Sequence, residues 1–238
     1  AVNVAIIPAR GGSKRIPGKN LKIFAGKPML AHSIEAALAS RCFEKVVVST
    51  DDPLIADAAR RWGAETPFRR PPELADDYTP TRAVINHAIG EVANIYTLPE
   101  FVCCIYATAP FLQHEDLIAS LAALKAHQAD FVFSVTTFPS AIQRALRILE
   151  SGVVVPFFPE SMGARSQDLD EAYHDAAQFY WGRPSAFLSN TPMFAGGSLP
   201  FVLPRYRVHD IDTLEDWQRA ELMFEALKSA TELGGVKV

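Results

Sequence analysis

Four cationic side chains, Arg10, Lys14, Arg15 and Lys19, fall within ten residues of a glycine-rich segment near the N-terminus. The segment, residues 8–20, reads PARGGSKRIPGKN and follows an apolar run that predicts a buried strand. Its three glycines allow tight turns with exposed backbone N–H groups, and such groups bind phosphate together with cations. We therefore interpret the segment as a cradle for a polyphosphate rather than as a solvated basic loop.

The segment differs from two common phosphate-binding motifs. Gly12 and Gly18 are one residue too far apart for a Walker A loop, and Asn20 stands where that loop has a magnesium-binding Ser or Thr. The fingerprint G-x-G-x-x-G does not follow the first strand either, which argues against an NAD-dependent dehydrogenase. The segment therefore indicates another class of nucleotide-binding protein.

A second polar group lies near the C-terminal end, where the chain reads Asp210-Ile-Asp212-Thr213. Residues two apart in an extended segment point to the same side, so Asp210 and Asp212 are expected to present two carboxylates together. Carboxylates are ligands that Mg²⁺ prefers, and a triphosphate would supply further oxygens. The alternative is that Asp212 or Thr213 only caps the helix that follows. The separate phosphate cradle favours the metal site.

Other polar residues carry weaker signals. Arg70 lies in a predicted loop and is a candidate for contact with a phosphate or a base. Thr81 is expected at the start of a helix, where its hydroxyl could contact a phosphate. Asp51 or Asp52 is expected to cap the helix that begins at Pro53, which leaves that pair a structural role.

The apolar pattern indicates a regular framework that would position these residues. Strands are predicted at residues 2–8, 45–50, 101–106 and 130–136, and helices over 29–40, from 53, between 80 and 95, and over 115–127. The strands are continuously apolar, as in strands buried on both faces, so we predict an α/β fold with a mostly parallel sheet. Ligands of such sheets bind beyond the carboxyl ends of the strands, where loops 9–20, 51–52 and 107–110 would lie.

The alternation of strands and helices changes after residue 139. Residues 145–149 and 153–157 flank a Ser-Gly pair and predict a hairpin, so residues 140–175 are assigned to an inserted segment. The flanking parts, residues 1–139 and 176–238, are assigned to one nucleotide-binding domain. Its remaining predicted elements are strands at 178–182 and 201–203 and a helix over 214–227.

The composition argues against several classes of partner. The chain has 238 residues and a formal net charge of −4, which gives no bulk attraction to nucleic acid or to an anionic membrane. No apolar stretch approaches the roughly 20 residues that span a bilayer. The three cysteines have no spacing that suits zinc or a disulfide framework, which favours a reducing compartment. We therefore expect a cytoplasmic protein without nucleic-acid or membrane partners.

The polar motifs and their order resemble those of the acylneuraminate cytidylyltransferase family over nearly the whole chain. The resemblance is carried by Ile7–Asn20, Val48–Asp52, Arg70-Pro71 and Asp210–Thr213. The decapeptide Tyr173–Gly182 is similar to the pseudaminic acid branch, whereas sialic acid enzymes differ there. The resemblance implies a Rossmann-like fold with helices on both faces of the sheet, and a homodimer in which the inserted segment is a dimerisation hairpin.

The resemblance also implies a reaction, in which CTP and a nine-carbon sugar acid give the CMP-sugar and pyrophosphate with Mg²⁺ as cofactor. The implied catalytic residues are Arg10, Lys14, Lys19, Asp210 and Asp212, of which the two aspartates bind the metal. The implied nucleotide-binding residues are Ala9, Arg10, Gly11, Gly12, Ser13, Lys19, Asn20, Arg70 and Thr81, with Asn20 on the base.

The residues implied to bind the sugar lie in the second half of the chain and in one earlier loop: Tyr106, Gln178, Tyr180, Met193 and Phe194. Tyr106 stands where the sialic acid branch has a glutamine, which favours pseudaminic acid as the substrate. Arg165 matches an arginine that reaches from the inserted segment into the sugar site of the partner subunit.

The expected mechanism is attack of the sugar's anomeric hydroxyl on the α-phosphorus of CTP, which requires positioning and charge neutralisation more than covalent catalysis. One alternative is another enzyme of the family, making CMP-N-acetylneuraminate, CMP-legionaminate or CMP-Kdo. The alternative from a different class is a regulatory module that binds CTP and releases no pyrophosphate.

Overall fold

A computed structural model of the chain describes residues 2–77 and 79–232. The strands in this part of the chain are β1 Asn3–Pro8, β2 Ile23–Phe24, β3 Lys27–Pro28, β4 Lys45–Ser49, β5 Phe101–Ile105, β6 Phe131–Thr137, β7 Leu146–Ile148, β8 Val154–Pro156, β9 Tyr173–Gly182 and β10 Ser198–Val202. Six of them form one central sheet in the order β10-β6-β9-β5-β1-β4, and β2-β3 and β7-β8 form two small hairpins.

Five of the six central strands run in the same direction. β1 pairs in parallel with β4 and β5, and β6 pairs in parallel with β10, whereas β9 is antiparallel to both of its neighbours. The predicted α/β fold with a mostly parallel sheet is confirmed. The predicted strand at 178–182 is too short. Residues 174–178 lack the continuous apolar pattern from which the other strands were predicted, so the first half of β9 was not recognised. Since β9 is antiparallel, Tyr173 lies at the edge where the other strands end.

The helices in the described residues are α1 Met29–Ser40, α2 Pro53–Arg61, α3 Thr81–Ile95, α4 His114–His127, α5 Pro184–Leu188 and α6 Leu214–Glu232. Residues of α1, α2 and α4 pack on one face of the sheet and residues of α3 and α5 on the other, so the two-faced arrangement is confirmed. Asp52 caps α2 as predicted, because its carboxylate accepts from the Leu54 N–H at 2.8 Å. Within the described ranges, no helix combines the length and the apolar character needed to cross a membrane.

Strand β1 shows how the core is divided between the two faces. Ala5 and Ile7 belong to the cluster under α1, and Val4 and Ile6 belong to the cluster under α3, as the alternation of a strand requires. All four side chains are buried, which confirms the predicted burial on both faces. A third cluster joins the β2-β3 hairpin to α6, so α6 closes over the chain just after the basic segment.

Three short elements lie outside the sequence predictions. The strands β2 and β3 have two residues each and the helix α5 has five, so they are too short to show a periodic pattern of apolar residues. β10 covers Ser198–Val202 rather than 201–203, because Pro200 reads as a strand breaker. The edge position of β10 explains why the proline is tolerated there.

The inserted segment forms the predicted hairpin, in which Ile148 pairs with Val154. Residues 173–175, which the sequence analysis placed in the segment, are instead the first residues of β9. The hairpin and the chain after it expose a group of large apolar side chains: Leu146, Ile148, Val153, Val154, Phe157, Phe158 and Met162.

Candidate active site

A cleft of about 570 Å³ lies beyond the carboxyl ends of the adjacent strands β1, β4 and β5. The loop after β1 supplies most of its cationic wall, and the loop after β5 supplies Tyr106 and Thr108. Of the predicted catalytic and nucleotide-binding residues, the cleft is lined by Arg10, Ser13, Lys14, Lys19, Asn20, Arg70, Thr81 and Asp212. The position agrees with the rule that open α/β sheets bind ligands at this edge.

Hydrogen bonds within the chain hold the basic loop in place. The Asn20 side-chain amide donates to the Arg10 carbonyl at 3.0 Å, and the Gly11 N–H donates to the Asp51 carboxylate at 3.0 Å. A Cβ atom on Gly11 would lie 2.7 Å from a carboxylate oxygen of Asp52, so a larger residue there would require the Asp52 side chain to shift. The loop geometry is therefore fixed by packing against the start of α2.

These contacts change the roles predicted for two of the loop residues. Ala9 is buried and its N–H donates to the Ser49 carbonyl at 2.9 Å, so it extends the pairing of β1 with β4. The N–H of Gly11 is committed to Asp51, as described above, and neither residue lines the cleft. Gly12 does not line the cleft either, although a Cβ atom there would have room.

An acidic residue faces the cationic wall across the cleft. Asp77 lies in the loop after the short turn Pro72–Leu74, and its two carboxylate oxygens face different cations. Oδ1 accepts from the Arg10 guanidinium, and Oδ2 lies 2.5 Å from the Lys14 Nζ. Hydrogen bonds from Lys14 and Arg10 lower the pKa of the Asp77 carboxyl. The carboxylate thus lies where a phosphate of a bound nucleotide would meet the same two cations.

Arg70 is buried, unlike the other cations of the cleft. Its guanidinium donates to the Ser49 carbonyl at 2.8 Å and to the Ser49 hydroxyl at 3.2 Å. Burial lowers the pKa of the Arg70 guanidinium, and the nearby Asp51 carboxylate opposes that shift. Part of its hydrogen-bonding capacity is therefore used to connect the cleft to the end of β4.

The aspartates of the second motif lie opposite Lys19. Burial raises the pKa of the Asp210 carboxyl, and the charge of Asp212 raises it further. Burial lowers the pKa of the Lys19 ammonium, and the charges of Asp212 and Asp210 oppose this shift. Because the charge of Asp212 disfavours ionisation of the neighbouring Asp210, a cation beside the two carboxylates would stabilise both charges, so the pair fits a divalent metal.

The side chains of Thr213 and Asp216 cap α6, rather than those of Asp210 and Asp212. The Thr213 hydroxyl accepts from the Asp216 N–H at 3.1 Å, and the Asp216 carboxylate accepts from the N–H groups of Asp212 and Thr213 at 3.0 Å. This reciprocal pattern is a capping box. The side chains of Asp210 and Asp212 therefore remain available. Within residues 2–77 and 79–232, no group of three or more His, Cys, Asp or Glu side chains could hold a metal alone.

A second cavity of about 570 Å³ adjoins the cleft. Lys19, Tyr106, Thr108 and Asp212 line both spaces. The second cavity is also lined by the start of β9, the end of β6 and the segment after β10, which carries Asp210. The two spaces therefore meet at the residues predicted to bind the triphosphate and the metal.

Two predicted sugar-binding tyrosines pack together beside this second cavity. The rings of Tyr106 and Tyr180 lie with centroids 5.2 Å apart, and Tyr106 lines both spaces. Tyr180 is buried, and its hydroxyl donates to the Asp175 carboxylate at 2.8 and 2.9 Å. Burial raises the pKa of both tyrosine hydroxyls, which keeps them as hydrogen-bond donors.

The other predicted sugar-binding residues lie away from the lining of both spaces. Gln178 is buried and donates to the Arg207 carbonyl at 2.7 Å, so it supports the segment after β10. Met193 packs partly buried against the core, and the exposed Phe194 contacts Phe133 edge to face at 5.3 Å. Arg165 lies exposed in the inserted segment, where it pairs with Asp168.

The polar residues of the site that sequence reasoning missed include Asp77, Asp175 and Arg205, which line one or the other space. Asp77 follows the motif Arg70-Pro71 within a short loop, and its acidity next to a basic cradle was the available signal. Asp175 was hidden in a stretch that the sequence assigned to the insertion.

The fold and this arrangement define an α/β nucleotide-binding protein with a cationic cleft and a paired-carboxylate site. The sequence model of the cytidylyltransferase family matches residues 4–195, and the chain belongs to that family. It is 44% identical over 223 residues to the pseudaminic acid cytidylyltransferase of Campylobacter jejuni, covering 94% of this chain and 96% of the relative. It is 32% identical to the CMP-N,N'-diacetyllegionaminic acid synthase of Legionella pneumophila, covering 95% and 98% of the two chains.

Solved structures agree on the fold. A CMP:2-keto-3-deoxy-manno-octonic acid synthetase, solved in complex with CTP, superposes with a TM-score of 0.69 at 17% identity. The match covers 95% of this chain and 99% of that one. The predicted family and the predicted fold class are both confirmed by these comparisons.

The position of Asp77 predicts an effect on nucleotide affinity. If Arg10 and Lys14 bind the triphosphate as the sequence predicts, Asp77→Asn removes a competing anion, so the Kd for CTP should fall about two- to five-fold, a range set by the modest strength of exposed ion pairs. Calorimetric titration with CTP measures the change. Asp57→Asn is the matched control, because it removes the same charge from an ion pair within α2. An unchanged Kd in Asp77→Asn would contradict the competition.

Proposed function

We propose that the chain is a CTP-dependent cytidylyltransferase that couples CMP to a nine-carbon sugar acid, with pseudaminic acid as the favoured acceptor. The observation that carries the proposal is the junction of two spaces: a cationic cleft opposite paired carboxylates opens into a second cavity of equal volume. The 44% identity to a pseudaminic acid cytidylyltransferase supports the choice of acceptor. The 32% identity to a legionaminic acid enzyme makes a related sugar acid the second candidate.

The reaction replaces a phosphoanhydride bond of CTP with a phosphoester bond to the sugar. The anomeric oxygen of the sugar acid attacks the α-phosphorus of CTP, the bond between that phosphorus and the bridging oxygen breaks, and pyrophosphate leaves. The hydroxyl proton is released to the surrounding water. Such a reaction depends on alignment of the two reactants and on stabilisation of negative charge at the phosphates.

The basic loop supplies the stabilisation in this proposal. Arg10 and Lys14 bind the β- and γ-phosphates in place of Asp77, and Lys19, at the junction of the two spaces, faces the α-phosphate. Their charges stabilise the pyrophosphate as it departs. Asn20 contacts the cytosine base, and the Thr81 hydroxyl donates a hydrogen bond to the nucleotide. Arg70 supports the phosphate end of the cleft.

The metal in this proposal is Mg²⁺, held by Asp210 and Asp212 with further oxygens from the triphosphate. When bound, it would neutralise phosphate charge and lower the pKa of a coordinated hydroxyl. The two aspartates keep their carboxylates free of the capping of α6, so both can face a cation. Lys19 beside them orients the same phosphate.

A homodimer completes the proposal. Large apolar side chains exposed on the hairpin β7-β8, including Ile148 and Phe157, form a surface of the kind that marks protein interfaces. Arg165, at the exposed end of the same segment, would reach the sugar cavity of the partner subunit. A cytoplasmic location fits the CTP requirement and the cysteines, since Cys103 and Cys104 are buried free thiols whose pKa is raised by burial.

A panel of sugar acids tests the proposed function. Pyrophosphate release should require CTP, Mg²⁺ and pseudaminic acid, and should be at least ten-fold slower with N-acetylneuraminic acid, since a missing contact in a polar site costs an order of magnitude or more. N,N'-diacetyllegionaminic acid and Kdo complete the panel. Release with another sugar acid alone would change the acceptor and keep the mechanism. CTP binding without release on any acceptor would indicate the regulatory module instead.

Removing one metal ligand tests the catalytic assignment. Asp212→Ala should lower kcat by about 10²–10³-fold, the usual effect of losing a group that stabilises transition-state charge, and should raise the Mg²⁺ concentration needed for half-maximal rate. Glu215→Ala is the control, because that exposed carboxylate lies three residues further on and lines neither space. Near-normal activity of Asp212→Ala at ordinary Mg²⁺ concentrations would remove the residue from the metal site.

A charge on the hairpin tests the dimer. Ile148→Asp places a carboxylate in the exposed apolar surface and should shift the protein from dimer to monomer in sedimentation velocity. Leu222→Asp is the matched control, because Leu222 on α6 has the same fractional exposure, 73%, outside the hairpin. A wild-type protein that sediments as a monomer at micromolar concentration would disprove the dimer.

A further inference from the structure

The pairing of β9 with β6 is irregular at the cavity. Tyr180 pairs with Phe133 and Asp175 pairs with Val135, so a step of two residues on β6 is matched by a step of five on β9. Within this bulge Ala177 has a φ of 54°, in the left-handed region that residues other than glycine rarely occupy. Bulges of this kind re-aim side chains, and backbone strain persists where the surrounding structure enforces it.

The bulge brings together two side chains that a regular strand would separate. Residues five apart on a strand are roughly 17 Å apart and point to opposite faces. Here the Tyr180 hydroxyl donates to both Asp175 oxygens, at 2.9 and 2.8 Å, and the Ala177 N–H donates to Oδ1 at 2.8 Å. The Asp175 carboxylate is therefore fixed in one orientation by two donors.

The fixed carboxylate is open to the second cavity. Asp175 is exposed although its partner Tyr180 is buried, and it lines the cavity together with His174 and Ala177. A carboxylate offers about four acceptor positions, and the two neutral donors leave capacity on Oδ2. None of the ion pairs formed within residues 2–77 and 79–232 includes Asp175, so its charge is not neutralised there by a cation.

A purely local role does not account for this arrangement. Capping the Ala177 N–H needs a single acceptor, which Asn or Ser would also supply. The buried Tyr180 hydroxyl adds a second anchor, and its ring packs on Tyr106, which lines both spaces. The contacts orient a carboxylate toward a space large enough for a sugar.

We propose that Asp175 is a specificity-determining residue that accepts a hydrogen bond from a donor group of the sugar acid, either an acylamino N–H or a hydroxyl. This inference rests on the proposed function and assigns the second cavity to the acceptor. A carboxylate accepts and does not donate, so it selects for a donor at that position. It also repels the carboxylate of the sugar acid, which turns that group toward Lys19 and Arg205 in the same cavity.

The test compares substrate analogues on two proteins. Analogues of pseudaminic acid, each with one acylamino group or hydroxyl replaced by hydrogen, are assayed with wild-type protein and Asp175→Asn at saturating CTP. Wild-type protein should lose about 10- to 100-fold in kcat/KM on one analogue, as expected for a hydrogen bond to a charged group. Asp175→Asn should lose several-fold in kcat/KM on pseudaminic acid itself, mainly through KM, and should discriminate less against that analogue, because a neutral amide oxygen accepts a weaker hydrogen bond than a carboxylate.

Two controls separate recognition from other roles. The KM for CTP and the melting temperature should change little in Asp175→Asn, and Asp57→Asn should match wild-type protein on every substrate. Tyr180→Phe removes one donor to the Asp175 carboxylate but leaves the carboxylate present. This variant should raise the KM for the sugar less than Asp175→Asn does, and it should keep part of the discrimination between pseudaminic acid and the analogue. If Asp175→Asn fails to fold, wild-type levels of KM and discrimination in Tyr180→Phe would overturn the proposal.

Other outcomes decide against the inference directly. Retained discrimination in folded Asp175→Asn would overturn it, and so would a loss confined to kcat with an altered pH profile, which would indicate proton transfer. The failure of the proposed function is a different result: wild-type protein that binds CTP and turns over no sugar acid. That result would contradict the proposed function, and the assignment of Asp175 to sugar binding would be wrong as well.

Discussion

Cations crowded at the end of β1 repel one another, and the rest of the cleft is arranged to oppose that repulsion. Arg10 and Lys14 face the Asp77 carboxylate, and Lys19 faces Asp212 and Asp210. The loop keeps this shape because Gly11 is bound to Asp51. Contacts within the chain thus hold these cations in place, and fixed charges of this kind stabilise a developing charge without reorganisation during a reaction.

The single antiparallel strand explains how the second cavity arises. In a fully parallel sheet, only carboxyl ends of strands reach the ligand edge. Because β9 runs the other way, its first residues reach that edge beside the end of β6, where Thr137 pairs with Tyr173. The cavity can therefore take side chains from both the start and the end of strands. The bulge that orients Asp175 lies in the antiparallel pairing of β9 with β6, so it depends on the direction of β9.

The sequence predicted the features that have a period or a dense local composition. The strands Asn3–Pro8 and Phe101–Ile105 and the helix Met29–Ser40 follow from continuous apolar runs and helical spacing. The basic loop and the pair at Asp210 and Asp212 follow from charge density within a few residues. These signals were sufficient to predict the fold class and most of the cations that line the cleft.

Features that depend on distant pairing were not predictable in the same way. The contact of Asp77 with Arg10 joins residues 67 positions apart, and no local pattern encodes it. The left-handed backbone at Ala177 is imposed by pairing of β9 with β6, since alanine itself disfavours that conformation. The backbone roles of Ala9 and Gly11 depend on Ser49 and Asp51 at the end of β4. Motif composition gives the residue types of a site, whereas tertiary pairing decides which groups remain free for a ligand.

The junction of the two spaces limits how the chemistry can be divided among residues. Lys19 and Asp212 are charged side chains that line both spaces, so under the proposed function a phosphate between the nucleotide and the sugar would lie against them. Burial favours the neutral form of Lys19, and the charges of Asp212 and Asp210 oppose it. Under the proposed function, removing either aspartate would therefore weaken two functions, because it would take away a proposed metal ligand and also favour loss of the Lys19 proton. The paired aspartates and Lys19 of the cationic wall are electrostatically coupled, so the effects of substitutions in the two parts are not expected to add.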